Sequence, residues 1–295
     1  MSERLQVPGP DGRTIEVLLA GDRNGFPVLF HGGSPSAVAE YDATDAVFRD
    51  LRLRYITYSR PGYGASTPRP AAGSYGDDVE ESRIILDHLG VGDFLAAGWS
   101  GGGPRALACA ALLPDRCRAA ASVAGVAPYH AEGLDWFAGM AEENHAEYHA
   151  AEQGREVYER FVADHMLGLL AASADEVAEG MGGLVTPVDK AVITDDFADW
   201  LSRTFNNAGA QGVVGVRDDG LAAVTPWGFD LASIGVPVAI WQGREDAMVP
   251  FAHGQWLAAH VPGAEAHLSD DDGHLTFVTK LDDIMTDLKR LGGVE

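Results

Sequence analysis

Cysteine and basic residues are scarce in this 295-residue chain, and each shortage excludes something. Two cysteines, Cys109 and Cys117, can build neither a disulfide framework nor a four-ligand zinc site. A reduced, cytoplasmic setting is the expectation that follows. Lys and Arg number 21 against 44 Asp and Glu, a formal net charge of −23. Nucleic-acid binding needs a basic footprint, and only short scatterings such as Arg49 to Arg54 are present. An anionic membrane surface repels so acidic a chain. No apolar run approaches the roughly 20 residues that span a bilayer. Met1 to Pro10 is polar, without the apolar stretch of a signal peptide. The acidic balance reads first as solubility and second as attraction for a cationic ligand. A small, neutral molecule is the expected partner, and no pattern fixes an oligomeric state.

What is present is a rhythm. Short apolar runs bounded by turn residues recur at Thr14 to Ala20, Val28 to Phe30, Leu53 to Tyr58, Asp93 to Ala97 and Ala119 to Ala124. Two more follow late in the chain, at Val236 to Trp241 and Ala264 to Leu268. Helical spacing lies between several of them, as in Asp77 to Leu89 and the Ala/Leu-rich Pro104 to Leu113. This alternation predicts an α/β fold built on a doubly wound, mostly parallel sheet. Over 127–230 the rhythm breaks. That stretch is Ala-, Glu- and Asp-rich, with helical spacing and glycines at Gly168, Gly180 to Gly183 and Gly209 to Gly215. A loop of that length has no place in a compact domain. The expectation is a helical cap, or lid, over 127–230, inserted into a core made of 1–126 and 231–295.

The sharpest local feature is Gly98-Trp99-Ser100-Gly101-Gly102, after a strand and before a helix. A strained strand-to-helix turn lifts a serine hydroxyl above the sheet edge, and glycines on either side let the turn pack tightly. A helix N-terminus also favours negative charge developing nearby. Serine at its ordinary pKa is a poor nucleophile and needs a base oriented by an acid. On such a sheet these follow in the order Ser, Asp or Glu, His. Gly243-Arg244-Glu245-Asp246 offers Asp246 as the acid, with Glu245 as its rival. Asp270-Asp271-Asp272-Gly273-His274 offers His274 as the base, while His253, His260 and His267 read as surface or structural residues.

In order and spacing these features resemble the α/β-hydrolase superfamily, in particular its capped serine hydrolases of the esterase, lactonase and proline-iminopeptidase-like kind. Four motifs carry the resemblance. They are His31-Gly32-Gly33-Ser34-Pro35, the Arg60-Pro61-Gly62-Tyr63-Gly64-Ala65-Ser66 loop, the Ser100 turn and the Asp246 and His274 pair. The resemblance covers nearly all of 10–290 apart from the cap. The resemblance implies an eight-stranded sheet and an oxyanion hole made by the backbone N–H groups of Gly33 and Gly101. Ser34 is a candidate further donor, His31 a brace for its loop, and the Arg60 to Ser66 loop scaffolding. The implied reaction is hydrolysis of a small, mainly apolar carboxylic ester or lactone through an acyl-enzyme on Ser100, with neither metal nor organic cofactor.

Departures from the pattern narrow the choice. Related dehalogenases and epoxide hydrolases carry Asp at the elbow, and dienelactone hydrolases Cys, where this chain has Ser100. Proline iminopeptidases usually continue Pro-Gly where this chain has Ser34-Pro35. An aminopeptidase or amidase stays open as an alternative, because Glu142, Glu143 and Glu147 are available in the cap to hold an amine. A small-molecule receptor of this fold with little turnover is the other alternative. Ser34, Trp99, Met248 and the cap residue Trp136 are the expected pocket residues. His145 and His149 are expected on a solvated helix face, since the zincin pattern needs Glu where Ala146 stands. Asp195-Asp196 and Asp218-Asp219 lack calcium-loop spacing and read as cap or turn residues.

Overall fold

The computed structural model describes residues 2–295. The chain lays down β1 (Glu3–Pro8), β2 (Thr14–Gly21), β3 (Phe26–His31), α1 (Asp42–Asp50) and β4 (Leu53–Tyr58). Next come α2 (Val79–His88), β5 (Phe94–Trp99), α3 (Gly103–Leu112) and β6 (Cys117–Val123). The 127–230 stretch then folds without a strand. Its helices are α4 (Glu142–Glu152), α5 (Arg155–His165), α6 (Leu167–Leu170), α7 (Ala174–Gly180), α8 (Pro187–Val192), α9 (Asp195–Ala208) and α10 (Val214–Ala223). The chain closes with β7 (Val238–Gly243), α11 (Phe251–His260), β8 (Glu265–Ser269) and α12 (Leu281–Leu291).

The strands form one eight-stranded sheet in the order β1-β2-β4-β3-β5-β6-β7-β8. β1 and β2 pair antiparallel, β2 meets β4 antiparallel, and every later pairing is parallel. Parallel strands covered on both faces must be apolar throughout, which explains the unbroken Phe94-Leu95-Ala96-Ala97 run in the middle of the sheet. Alternation along each strand sends Leu29, Ala96, Ala120 and Ile240 to one face, with α2, α3 and α11. Val28, Leu95, Ala97, Ala121 and Ala239 go to the other face, with α1 and α12. Leu95 and Leu29 are fully buried, each contributing about 1.5–3 kcal/mol relative to exposure. No helix among the described residues is long and apolar enough to cross a membrane.

Two apolar contacts seat the helical stretch over the carboxyl edge of the sheet. On α9, Phe197, Leu201 and Phe205 recur at helical spacing and bury against Val177, Met181 and Leu275, the last from the loop after β8. On α5 and α10, Tyr158, Val162 and Val216 pack with Tyr63 of the loop after β4. In the sheet register His31 lies opposite Gly98, and Trp99 opposite Val123. The loops after β3, β5, β7 and β8 therefore open on one edge, where ligands of open α/β sheets bind.

Candidate active site

Between the end of β5 and the start of α3 the chain turns on Ser100, which adopts φ +56°. The left-handed region costs a non-glycine residue roughly 1–2 kcal/mol, so the surroundings must impose it. They do so through glycine. A Cβ on Gly98 would collide with the Gly102 carbonyl, and a Cβ on Gly102 with the His31 carbonyl. Only this close passage of β5, the turn and the β3 end leaves the Ser100 side chain standing over the sheet edge.

His274 sits on the loop after β8 with its side chain buried, and its Nδ1 lies 2.8 Å from Asp246 Oδ2. Asp246 follows β7. Its Oδ1 accepts the backbone N–H groups of Met248 and Val249 at 2.9 and 2.8 Å, and its Oδ2 also accepts Gln242 Nε2 at 3.0 Å. A carboxylate so supplied with donors accepts from Nδ1 of His274, which leaves Nε2 as the ring nitrogen with a lone pair. Burial pulls the His274 imidazole down, but Asp246, by charge and hydrogen bond, and Asp189 outweigh it and set it above its ordinary value. Ser100 and His274 line the same cavity. No hydrogen bond joins their side chains among the described residues; such contacts are often long without substrate and tighten in the complex. The rival acid Glu245 is exposed.

The histidine loop has two further holders that sequence reading missed. Fully buried Asp189, at the start of α8, accepts the Leu275 N–H at 2.7 Å. Trp99 Nε1 donates to the His274 carbonyl at 3.1 Å. Thr186-x-x-Asp189 is visible in sequence as a helix start, since Asp189 N–H does reach the Thr186 hydroxyl at 3.4 Å. Nothing local announces the Asp189 carboxylate's second partner.

Gly33 lies against the serine turn, where a Cβ would stand 3.3 Å from Ser100 Cβ. A Cβ on Gly101 would meet Ser34 Oγ at 2.7 Å. Both candidate oxyanion peptides thus flank Ser100 at close quarters. Ser34 lines the cavity, but its hydroxyl donates to Asp219 Oδ2 at 2.5 Å and accepts from Arg60 Nη2 at 3.1 Å. Its single proton is committed, which corrects the expectation of a further oxyanion donor. Asp219 has a role the sequence does not announce. Of the two readings, cap or turn, it takes the first, a buried member of α10, bonded by Arg60, Arg105, Tyr63 and Ser34. The Arg60 loop is likewise more than scaffolding, since its guanidinium grips the Gly32 and Gly33 carbonyls.

The cavity holds about 450 Å³, within the usual range for small-molecule sites. Trp99 and Met248 line it, as expected, with Leu201, Phe205 and Val216 supplying apolar wall. Trp136 does not. Its ring is buried against Tyr129, Met140 and Val249, and its Nε1 donates to the Ala127 carbonyl at 2.9 Å, pinning the start of the helical stretch. Glu147 of α4 faces the cavity, half-buried, and accepts Tyr158 OH at 2.6 Å; burial lifts its carboxyl above the ordinary range.

The remaining candidates are structural. His31 is buried beside Tyr58 OH at 3.4 Å and Cys109 Sγ at 3.5 Å, and burial with nearby Arg105 and Arg60 lowers it to about 3. His253 accepts the Ala127 N–H at Nδ1 and donates from Nε2 to the Trp136 carbonyl. His149 stacks on Phe137. Among the described residues one His–carboxylate cluster has metal-like spacing, Glu265, His267 and Asp287, at the outer strand β8. Arg290 already pairs with both carboxylates there.

Two comparisons with characterised sequences extend over most of the chain. It is 29% identical over 253 residues to a non-heme chloroperoxidase of Streptomyces lividans, covering 83% of each. It is 28% identical over 273 residues to a 2-hydroxymuconate semialdehyde hydrolase of Pseudomonas putida, covering 88% of this chain and 87% of that one. Among solved structures, a thermophilic esterase from Thermogutta terrifontis superposes with a TM-score of 0.67 at 20% identity, over 98% of this chain and 99% of that one. The sequence model of the alpha/beta hydrolase fold matches residues 27–281, and the chain belongs to that family.

Proposed function

We propose that the protein is a serine hydrolase that cleaves a small, mainly apolar carboxylic ester or lactone. One observation carries this reading: the left-handed Ser100 turn and the Asp246-held His274 open on one cavity with apolar walls. His274 Nε2 takes the Ser100 proton as Oγ attacks the acyl carbon, and Asp246 steadies the imidazolium. The N–H groups of Gly33 and Gly101 receive the oxyanion, each such donor being worth about 2.7–4 kcal/mol. His274 then protonates the leaving alcohol, and a water activated by the same imidazole frees the acid. In this scheme 127–230 is a cap that shapes the cavity and excludes water, and no cofactor is needed. Buried, free Cys109 and Cys117 suit a reduced, cytoplasmic setting.

The test is a p-nitrophenyl ester series from acetate to octanoate with wild type and Ser100→Ala. Wild type is expected to turn over the short and middle chains, and Ser100→Ala to fall to background. Glu147, a cap carboxylate facing the cavity, favours a second reading as an aminopeptidase or amidase. An aminoacyl p-nitroanilide in the same series decides it: preference for that substrate, lost in Glu147→Gln, selects the amidase. A folded wild type that turns over none of them, nor a small lactone added to the series, yet binds them is a receptor.

The raised His274 value predicts a pH profile. The base must be neutral, so the acid limb of kcat/KM should have its midpoint above about 6.5, the ordinary histidine value. Stability from the His274–Asp246 pair has the opposite sign. It is full below about 6.5 and is lost as pH rises through the folded value. A midpoint at or below 6.5 would remove Asp246 as the partner that tunes His274.

A further inference from the structure

The proposed oxyanion hole has an unusual backing. Arg60 Nη1 donates to the Gly32 carbonyl at 2.8 Å, and Nη2 to the Gly33 carbonyl at 2.6 Å. The Gly32 carbonyl and the Gly33 N–H belong to one planar peptide, so gripping the oxygen on one side aims the hydrogen on the other. The next peptide is gripped as well. Arg105 Nη1 donates to the Gly101 carbonyl at 2.6 Å, fixing the peptide that follows the second donor. Neither guanidinium lines the cavity; each acts from behind the peptides.

The two arginines share one carboxylate, Asp219, and Arg105 is also held at Nε by Asp78. Asp219 Oδ2 receives Arg60 Nη2 at 2.6 Å and Tyr63 OH at 2.9 Å, while Oδ1 receives Arg105 Nη2 at 2.6 Å. Both guanidinium groups are almost wholly buried. Bidentate and charge-assisted bonds of this kind set orientation more firmly than neutral ones. Asp219 is the anion between the two cations and the one salt-bridge partner of Arg60 among the described residues, whereas Arg105 keeps Asp78; buried charges left unpaired reorient. Asp219 belongs to α10, so the anion comes from the proposed cap and the arginines from the core.

We propose that Asp219 is a positioning residue for oxyanion stabilisation: through Arg60 it locks the peptide that carries the Gly33 N–H, and through Arg105 the Gly101–Gly102 peptide that adjoins the Gly101 N–H, so that docking of the cap completes the hole. The role rests on the serine-hydrolase reading of Ser100. It predicts loss at the transition state rather than in substrate binding. A purely electrostatic role predicts the opposite sign, because removing an anion beside a developing oxyanion would speed the reaction.

The experiment compares wild type, Asp219→Asn and Tyr63→Phe, with thermal unfolding to confirm the fold. Turnover of a p-nitrophenyl ester is measured beside inhibition by an alkyl trifluoromethyl ketone, whose serine adduct carries the oxyanion. Asp219→Asn is expected to lower kcat about tenfold or more with KM within about twofold, below the full loss of a donor. Ketone affinity should fall by the same factor as kcat/KM. Tyr63→Phe keeps every charge and should give the same pattern at roughly two- to fivefold, which carries the test should Asp219→Asn not fold. Unchanged or raised kcat in the folded variants overturns the proposal, and so does a rise in KM alone or an unchanged ketone affinity. Ser100→Ala run in parallel separates the two readings. If it retains wild-type turnover, the serine-hydrolase reading falls and this role with it; if it alone collapses, only the Asp219 role falls.

Discussion

Asp246→Asn is expected to lower kcat on a p-nitrophenyl ester by about 10,000-fold with little change in KM, the size of the same change in a serine-protease triad. Asp246 receives four donors: two backbone N–H groups on Oδ1, and Gln242 Nε2 and His274 Nδ1 on Oδ2. An asparagine must keep its oxygen toward the two backbone groups, since its NH₂ has nothing to give them. The NH₂ then points at His274 Nδ1 and donates to it. That reverses the tautomer, so Nε2 presents a hydrogen to Ser100 where a lone pair is needed. The imidazolium formed during attack also loses its counter-charge. Because the side chain is buried and its shape is kept, unfolding temperature should move far less than activity. A fall in kcat of less than tenfold would assign the acid elsewhere.

Gly98→Ala is expected to destabilise the protein by about 3 kcal/mol or more, roughly 6–12 °C in Tm or a matching fall in denaturant midpoint. The added methyl would collide with the Gly102 carbonyl and press on Gly103 N. Both are backbone, so no side chain can rotate away. β5 is hydrogen-bonded to β3 on one side and β6 on the other and has little freedom to retreat. Whatever relief exists must come from the Ser100 turn, so activity should fall further than stability accounts for. Gly92→Ala is the control. Gly92 is exposed, with no atom within 4 Å of the place an added methyl would take, and the variant should stay within about 0.5 kcal/mol of wild type. Equal behaviour of the two variants would contradict the packing that holds Ser100 in place.

Seven of the eight strands announce themselves as short apolar runs, and six of these, β2 to β7, carry buried side chains, while β8 has none. β1 does not announce itself. Its sequence, Glu3-Arg4-Leu5-Gln6-Val7-Pro8, is an edge strand with only Val7 buried, so it carries almost no apolar signal. The placement of Ser100, Asp246 and His274 in strand-ending loops is legible because short windows contain the information. Asp219 is not. Its partners Ser34, Arg60 and Arg105 lie 185, 159 and 114 residues away, and no local pattern encodes them. Arg105 did leave a trace, as the one charge in the otherwise apolar α3. Trp136 shows the converse error. An aromatic residue in the 127–230 stretch has many ways to be buried, and a hydrogen bond to Ala127 put this one beneath the helices.

The most direct test of Ser100 as an activated nucleophile is covalent labelling by an alkyl fluorophosphonate, read by intact mass and peptide mapping. The structure predicts a single adduct on the peptide carrying Ser100, absent from Ser100→Ala and strongly slowed in His274→Ala. A wild type that hydrolyses esters yet takes no label at Ser100, or labels equally well in Ser100→Ala, would contradict the account.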